Sequence, residues 1–145
     1  MPAAPSRPQS LAGYLEALSR AVFQSGFSWQ VVEAKWSSIR DAFHGFDPAW
    51  MAALTPAEID RLALDPRVIR NRAKIEGTAD NARALLDRDA EYGGFGCYLR
   101  SFADYQALAA DVRKRFRFIG DSGAYHFLWQ VGEPVPDYDT WQATR

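Results

Sequence analysis

Cysteine is nearly missing from this sequence, which contains Cys97 and no other. A disulfide within the chain is therefore excluded, and so is a structural zinc site that needs several cysteines. The two histidines, His44 and His126, lie far apart and do not form a ligand pair with zinc-site spacing. The cysteine content indicates a protein of a reducing cytosol.

Long hydrophobic runs are missing as well. No apolar stretch reaches the roughly 18–20 residues that are needed to span a bilayer. Residues 1–8 lack the apolar core of a signal peptide. We therefore expect no membrane association, and we predict that residues 1–10 form a short flexible tail.

An excess of charge of one sign is also missing, because the formal net charge is −1. This value excludes a histone-like protein coated in basic residues, but it allows one local basic face. Lysine and arginine cluster twice, within residues 67–74 and within residues 113–117. Each cluster has two open interpretations, a solvated helix face or a surface that contacts nucleic acid.

The sequence does contain the residues for one helical core. A chain of 145 residues, 48% of them hydrophobic, fits a single domain. Apolar residues recur at helical spacing between glycine and proline breaks, and capping residues precede several of these runs. The pattern predicts an all-α fold, one compact domain over residues 11–145. Its predicted helices cover residues 11–26, 28–45, 48–53, 56–64, 70–87, 105–115 and 122–131.

Four segments of the sequence resemble one enzyme family, in the same order and at similar spacing. They are residues 24–29 (QSGFSW), 42–48 (AFHGFDP), 68–75 (VIRNRAKI) and 113–120 (RKRFRFIG). The sequence is similar in these segments to the 3-methyladenine DNA glycosylase I family, which belongs to the helix-hairpin-helix DNA glycosylases. The resemblance implies a compact helical glycosylase domain of helix-hairpin-helix type.

A hairpin that binds the DNA backbone is the first functional element that the resemblance implies. In helix-hairpin-helix proteins, the hairpin presents backbone N–H groups to phosphates and does not read sequence. The partner would be double-stranded DNA with an alkylated base. For Asn71 an alternative stays open, a cap on the following helix. The implied DNA-binding residues are Val68, Ile69, Arg70, Asn71, Arg72 and Lys74.

An aromatic pocket for a flipped base is the second implied element. Trp29 matches the family tryptophan that lines this pocket, and a flat ring suits stacking on a methylated purine. A core position is the competing interpretation for Trp29, because it shares an apolar stripe with Trp36. The implied pocket residues are Trp29, Phe27, Ser28, Gln24, Tyr125 and His126.

The sequence departs from the family at the residue that is tied to recognition and release of the base. The family has a glutamate eight residues before the pocket tryptophan, and here that position holds Ala21. The catalytic residue is therefore unassigned, with Asp121 and Glu33 as candidate acids. The zinc ligands of the family and its N-terminal segment have no counterpart in this sequence, so we expect no metal and no cofactor.

Three functional hypotheses follow. The first is a base-excision repair glycosylase, which hydrolyses the N-glycosidic bond of alkylated purines such as 3-methyladenine. It would act as a monomer in the bacterial cytosol, in association with the nucleoid. The second, which Ala21 motivates, is a catalytically reduced relative that binds damaged or abasic DNA. The third is a helical scaffold for protein partners. It is the least economical, because it gives the basic hairpin no purpose.

Overall fold

The computed structural model describes residues 5–145. Within this range the chain is helical and has no strand. None of its helices is both long and apolar enough to cross a membrane. The helices are α1 (Leu11–Gln24), α2 (Trp29–Ala42), α3 (Pro48–Ala52), α4 (Pro56–Ala63), α5 (Arg72–Tyr92), α6 (Phe95–Leu99), α7 (Tyr105–Arg115), α8 (Asp121–Gln130) and α9 (Tyr138–Ala143), with a 3₁₀ turn at His44–Phe46.

The all-α fold class predicted from the sequence is confirmed. The capping box at the start of α4 is present, since Thr55 Oγ1 accepts from Glu58 N at 3.2 Å and Glu58 Oε1 accepts from Thr55 N at 2.9 Å. Helices α6 and α9 were not predicted, and α5 extends beyond the predicted end at residue 87 to Tyr92. Residues 87–92 are mostly charged and show no apolar period. The helix stops at Gly93, whose φ of 71° is typical of a helix C-terminus.

Helix α5 lies at the centre of the fold, where α1, α3, α4 and α6 pack against it. Small residues on its buried face, Ala79 and Ala82, allow these helices to approach closely. Helix α1 contacts α5 and also α8. The buried residues Leu15, Leu18 and Val22 fill the space on the inner side of α1. A different face of α1 is left to form a cleft with α8.

A buried asparagine fixes the loop that leads into α8. Asn81 is 1% exposed, its Nδ2 donates to the carbonyl oxygen of Arg117 at 3.2 Å, and its Oδ1 accepts from Arg117 N at 2.7 Å. The next residue, Phe118, has a φ of 62°. Its ring reaches Gly77 of α5, where a Cβ atom would lie 2.7 Å from the ring. Asn81 and Gly77 therefore determine where Phe118 is placed.

The N-terminal residues that the structure describes lie against the end of α8. Ser6 N donates to the carbonyl oxygen of Gln130 at 3.1 Å, and Arg7 Nε lies 3.9 Å from Glu133 Oε2. Residues 1–4 lie outside the described residues. The flexible tail over residues 1–10 stays a prediction.

Candidate functional site

A cleft lies between α1 and α8, with the first residue of α2 in its wall. It consists of two adjoining chambers, which share the lining residues Ala21, Gln24, Trp29 and His126. The first, called the Arg20 chamber here, has a volume of about 110 Å³. The second, called the Asp121 chamber, has a volume of about 420 Å³. The larger volume is within the usual range of small-molecule sites.

Small residues face each other across the helix contact that forms the cleft. Ala21 on α1 is buried and lines both chambers. Gly123 on α8 lines the Asp121 chamber, and a Cβ atom on Gly123 would lie 3.8 Å from the Cβ of Ala21. The small side chain of Ala21 leaves open space in both chambers, at the position where the resemblance implies a glutamate.

Trp29 is in the wall of the cleft rather than in the core. It is the first residue of α2 and lines both chambers. Its Nε1 atom is enclosed and has no acceptor among residues 5–145. Trp36, by contrast, is buried and stacks on Phe46 with ring centroids 5.3 Å apart. The two tryptophans of the α2 stripe thus have different surroundings.

Glu33 orients two of the side chains that line the cleft. Its Oε1 accepts from Arg20 Nη1 at 2.5 Å and from Gln24 Nε2 at 3.3 Å. The Arg20 guanidinium also lies over the ring of Trp36, with Cζ 4.7 Å from the centroid. Glu33 itself lines neither chamber.

Asp121 and His126 project from α8 into the cleft. Asp121, in the first turn of α8, accepts a hydrogen bond from Arg113 Nη1 and lines the larger chamber. Partial burial lowers the pKa of His126 below its ordinary value, so its imidazole is neutral at pH 7 and provides one donor and one acceptor. No three histidine, cysteine or acidic side chains among residues 5–145 form a group that would hold a metal ion.

The structure brings together only some of the predicted pocket residues. Gln24, Trp29 and His126 line the cleft, whereas Phe27, Ser28 and Tyr125 do not. Ser28 instead caps α2, with its side chain accepting from Val31 N at 3.5 Å. Tyr125 stacks on Trp141, and its hydroxyl donates to Pro136 O at 2.8 Å. Phe27 is 39% exposed and lies beside Lys74.

Several lining residues were missed in the sequence, among them Arg20 and Gln130. A signal for part of the set was present. Ala17, Ala21 and Gln24 are spaced four and three residues apart, so they share one face of α1. This spacing places the three residues on one face, but it does not distinguish a cavity from a close helix contact.

The hairpin between α4 and α5 directs three of its carbonyl groups towards α2. Lys35 Nζ donates to the carbonyl oxygens of Pro66 and Val68, both at 3.1 Å, and Ser38 Oγ donates to Arg67 O at 2.8 Å. The backbone N–H groups of Ile69 and Arg70 have no acceptor among residues 5–145. An anion is therefore the ligand that this hairpin suits best.

The N-terminus of α5 adds further donors next to the hairpin. Asn71 caps this helix, with Oδ1 accepting from Lys74 N at 3.1 Å. The N–H groups of Arg72 and Ala73, within the described part of the chain, have no acceptor. Val68 and Ile69 are buried and anchor the hairpin in the core. In the structure Asn71 therefore acts as the N-cap of α5, the alternative that the sequence left open.

The basic side chains of this region differ in their partners. Arg70 is exposed and has no carboxylate within 4 Å in the described part of the chain. Arg72 is paired with Asp60 at 2.5 Å and with Glu76 at 2.8 Å. Lys74 is buried and donates to the carbonyl oxygen of Ser25, and burial lowers its pKa. Arg70 is therefore the cation of this group that is open to a ligand.

The second basic run is largely neutralised by acidic neighbours. Arg113 pairs with Asp121, Arg115 lies 3.5 Å from Asp111, and Arg117 lies 2.7 Å from Asp80. These pairs favour the interpretation of residues 113–117 as a solvated face.

Comparisons with known proteins agree on one family. Residues 8–117 match the family model described as methyladenine glycosylase. The chain is 31% identical to the DNA-3-methyladenine glycosylase of Haemophilus influenzae and 32% identical to DNA-3-methyladenine glycosylase 1 of Escherichia coli. Each alignment is 130 residues long, with a coverage of 75% of this chain and 70% of the relative. A crystal structure of 3-methyladenine DNA glycosylase I superposes with a TM-score of 0.75 at 28% identity, covering 88% of this chain and 81% of that one.

Proposed function

Because this chain belongs to the methyladenine glycosylase family, we propose that it is a DNA glycosylase of base-excision repair, which hydrolyses the N-glycosidic bond of alkylated purines such as 3-methyladenine. The observation that carries the proposal is a cleft of small-molecule size beside a hairpin in which the N–H groups of Ile69 and Arg70 have no acceptor among residues 5–145. Lys74 joins the two, because it starts on α5 next to the hairpin and reaches Ser25, which lines the Asp121 chamber.

The geometry supports base flipping. A glycosylase must hold the DNA backbone and receive the extruded nucleotide in a pocket. The N–H groups of Ile69 and Arg70, with the Arg70 guanidinium, would bind phosphate, and the ring of Trp29 would stack on the base. Phe27 is exposed in the loop between α1 and α2, and Lys74 Nζ lies 4.8 Å from the centroid of its ring. Apolar side chains in such positions fill the gap that a displaced base leaves.

The chemistry needs a positioned water and a stabilised sugar rather than a strong base, because a cationic alkylated purine leaves readily. Asp121 is the carboxylate that lines the cleft. In this proposal it orients the attacking water and balances the positive charge that develops on the sugar. Glu33 lines neither chamber and accepts from Arg20 and Gln24, so it acts as a positioning residue.

Base release from methylated duplex DNA tests the proposal. The purified chain should liberate 3-methyladenine, seen by chromatography of the free bases, and should leave an equal number of abasic sites. Asp121→Asn should slow this release by about 100-fold, the lower end of what general acid–base catalysis contributes, with unchanged affinity for DNA. Asp87→Asn, an exposed change on α5, is the matched control and should have no effect. Absence of release with enzyme in excess would contradict the proposal.

Ala21 favours a second candidate function. With alanine at this position, the Arg20 chamber has no carboxylate in its lining. A relative with reduced catalysis would bind damaged or abasic duplex DNA without cleaving the glycosidic bond. Tight binding to abasic DNA together with no base release under single-turnover conditions would establish this alternative. In either case we propose a monomer that acts on duplex DNA in the bacterial cytosol, associated with the nucleoid, without metal or cofactor.

Replacing Arg70 by alanine should weaken binding to all DNA sequences alike. Each neutralised phosphate contributes roughly 0.9 to the slope of log K against log salt concentration, so the slope should become shallower by about 1. Arg72→Ala is the comparison, and its effect should be smaller because Asp60 and Glu76 already neutralise Arg72. Binding measured by anisotropy between 50 mM and 200 mM salt checks this. Equal slopes for the wild type and Arg70→Ala would contradict the assignment of the hairpin.

A further inference from the structure

Helix α2 contacts the hairpin between α4 and α5 through hydrogen bonds to consecutive carbonyl groups. Lys35 Nζ donates to the carbonyl oxygens of Pro66 and Val68, both at 3.1 Å. Ser38 Oγ donates to the carbonyl oxygen of Arg67 between them, at 2.8 Å. Three successive peptide groups of the hairpin therefore have their oxygen atoms directed towards α2.

The N–H groups of the same three peptides differ in whether they have an acceptor. In a trans peptide the N–H points opposite to the C=O, and no cis bond occurs among residues 5–145. These N–H groups, which belong to Arg67, Val68 and Ile69, therefore point away from α2. Asp65 accepts from the first two, with Oδ1 2.8 Å from Arg67 N and the carbonyl oxygen 3.2 Å from Val68 N. The N–H of Ile69 has no acceptor among residues 5–145.

The peptide between Val68 and Ile69 thus links Lys35 to the opposite side of the hairpin. Its carbonyl accepts from Lys35, and its N–H is left for a ligand. A hydrogen bond at the carbonyl polarises the peptide and strengthens its N–H as a donor, and a charged donor has the larger effect. Lys35 is half-buried, and among residues 5–145 its ammonium group forms no ion pair with a carboxylate. No acid therefore offsets its charge at this peptide.

We propose that Lys35 is a positioning residue for DNA binding, whose ammonium group holds and polarises the peptide that presents the Ile69 N–H to a backbone phosphate. This inference rests on the proposed function, because the phosphate is that of the DNA that the hairpin would bind. Lys35 acts from the carbonyl side of the peptide, whereas the Arg70 guanidinium would contact the phosphate itself. Ser38 anchors a neighbouring peptide whose N–H already donates to Asp65, so its bond is not passed on to a ligand.

Binding of labelled duplex DNA, measured by fluorescence anisotropy over a range of salt concentrations, tests this role. The probe is an undamaged duplex, since contacts to the backbone do not need a lesion. Lys35→Met should weaken binding on the order of tenfold, because one charge no longer acts through a buried peptide. The slope of log K against log salt concentration should stay at the wild-type value, because Lys35 itself neutralises no phosphate. Ser38→Ala is the matched control and should leave the affinity unchanged.

Two further variants separate the charge of Lys35 from its hydrogen bonds and from loss of structure. Lys35→Arg keeps a charged donor and should recover most of the affinity. Lys35→Gln keeps a neutral donor and should bind DNA as weakly as Lys35→Met. Circular dichroism confirms that each variant is folded, and the arginine and glutamine variants give the same test if Lys35→Met does not fold.

Unchanged affinity of Lys35→Met, equal affinities of Lys35→Arg and Lys35→Gln, or an equal loss in Ser38→Ala would overturn the inference. A salt slope that becomes shallower by about 1 in Lys35→Met would indicate a direct phosphate contact and would overturn it too. Release of free bases from methylated duplex DNA separates the two proposals. Release of 3-methyladenine by the wild type, with unchanged binding by Lys35→Met, overturns only this inference. Weakened binding by Lys35→Met, with no release by the wild type, overturns only the proposed glycosylase activity.

Discussion

Replacing Trp29 by alanine is expected to slow release of 3-methyladenine from methylated duplex DNA by roughly 5- to 150-fold, since stacking of a base on an aromatic ring is worth about 1–3 kcal/mol. The ring lines both chambers of the cleft, so a base in either chamber contacts it. Affinity for undamaged duplex DNA should stay the same, because the hairpin at residues 64–71 does not involve Trp29. Single-turnover release and anisotropy measure the two quantities separately.

Two variants control this experiment. Trp29→Phe keeps an aromatic face and should recover most of the release. Trp50→Ala removes a tryptophan that stacks on His44, with ring centroids 3.8 Å apart, and lines no part of the cleft. It reports the general effect of losing a tryptophan. If Trp29→Ala and Trp50→Ala slowed release equally, Trp29 would be a packing residue and the cleft would lose its role.

Three of the predicted pocket residues, Gln24, Trp29 and His126, line the cleft, and the first two are local to one motif. Gln24 and Trp29 belong to one segment of resemblance, and both line the cleft. Phe27 belongs to the same segment, but Gly26, with a φ of 80°, turns the chain there and Phe27 is exposed. Arg20 and Gln130 come together because α1 packs against α8. A tertiary contact between distant segments has no signature in the spacing of either one.

The basic runs illustrate a second reason why sequence patterns mislead. A count of arginines omits the acids that face them. Arg72 has one partner at helical spacing, Glu76, which the sequence shows, and another, Asp60, which only the packing of α4 against α5 supplies.

Helix α9 was missed although Asp137 caps it, accepting from Thr140 N at 3.3 Å. Its six residues are too few to show an apolar period, so the cap was the available signal.

Glu133 leads to the prediction with the largest effect on stability. Its side chain is 1% exposed, and its Oε2 accepts from Arg100 Nη2 at 2.9 Å, with Arg7 Nε at 3.9 Å. Arg100→Met should lower the free energy of unfolding by about 1–3 kcal/mol, because the buried carboxylate of Glu133 loses its hydrogen bond and keeps only the longer contact to Arg7. Urea denaturation at pH 7 measures the loss.

The same pair provides its own control through a second substitution. The double variant Arg100→Met with Glu133→Gln removes the unpaired charge, so it should recover much of the stability that Arg100→Met loses. Arg67→Met breaks an exposed pair with Asp65 at 2.8 Å and should cost much less, because solvent screens an exposed ion pair. If Arg100→Met cost no more than Arg67→Met, Glu133 would be hydrated, and the pair that joins the end of α6 to the segment after α8 would not stabilise the fold.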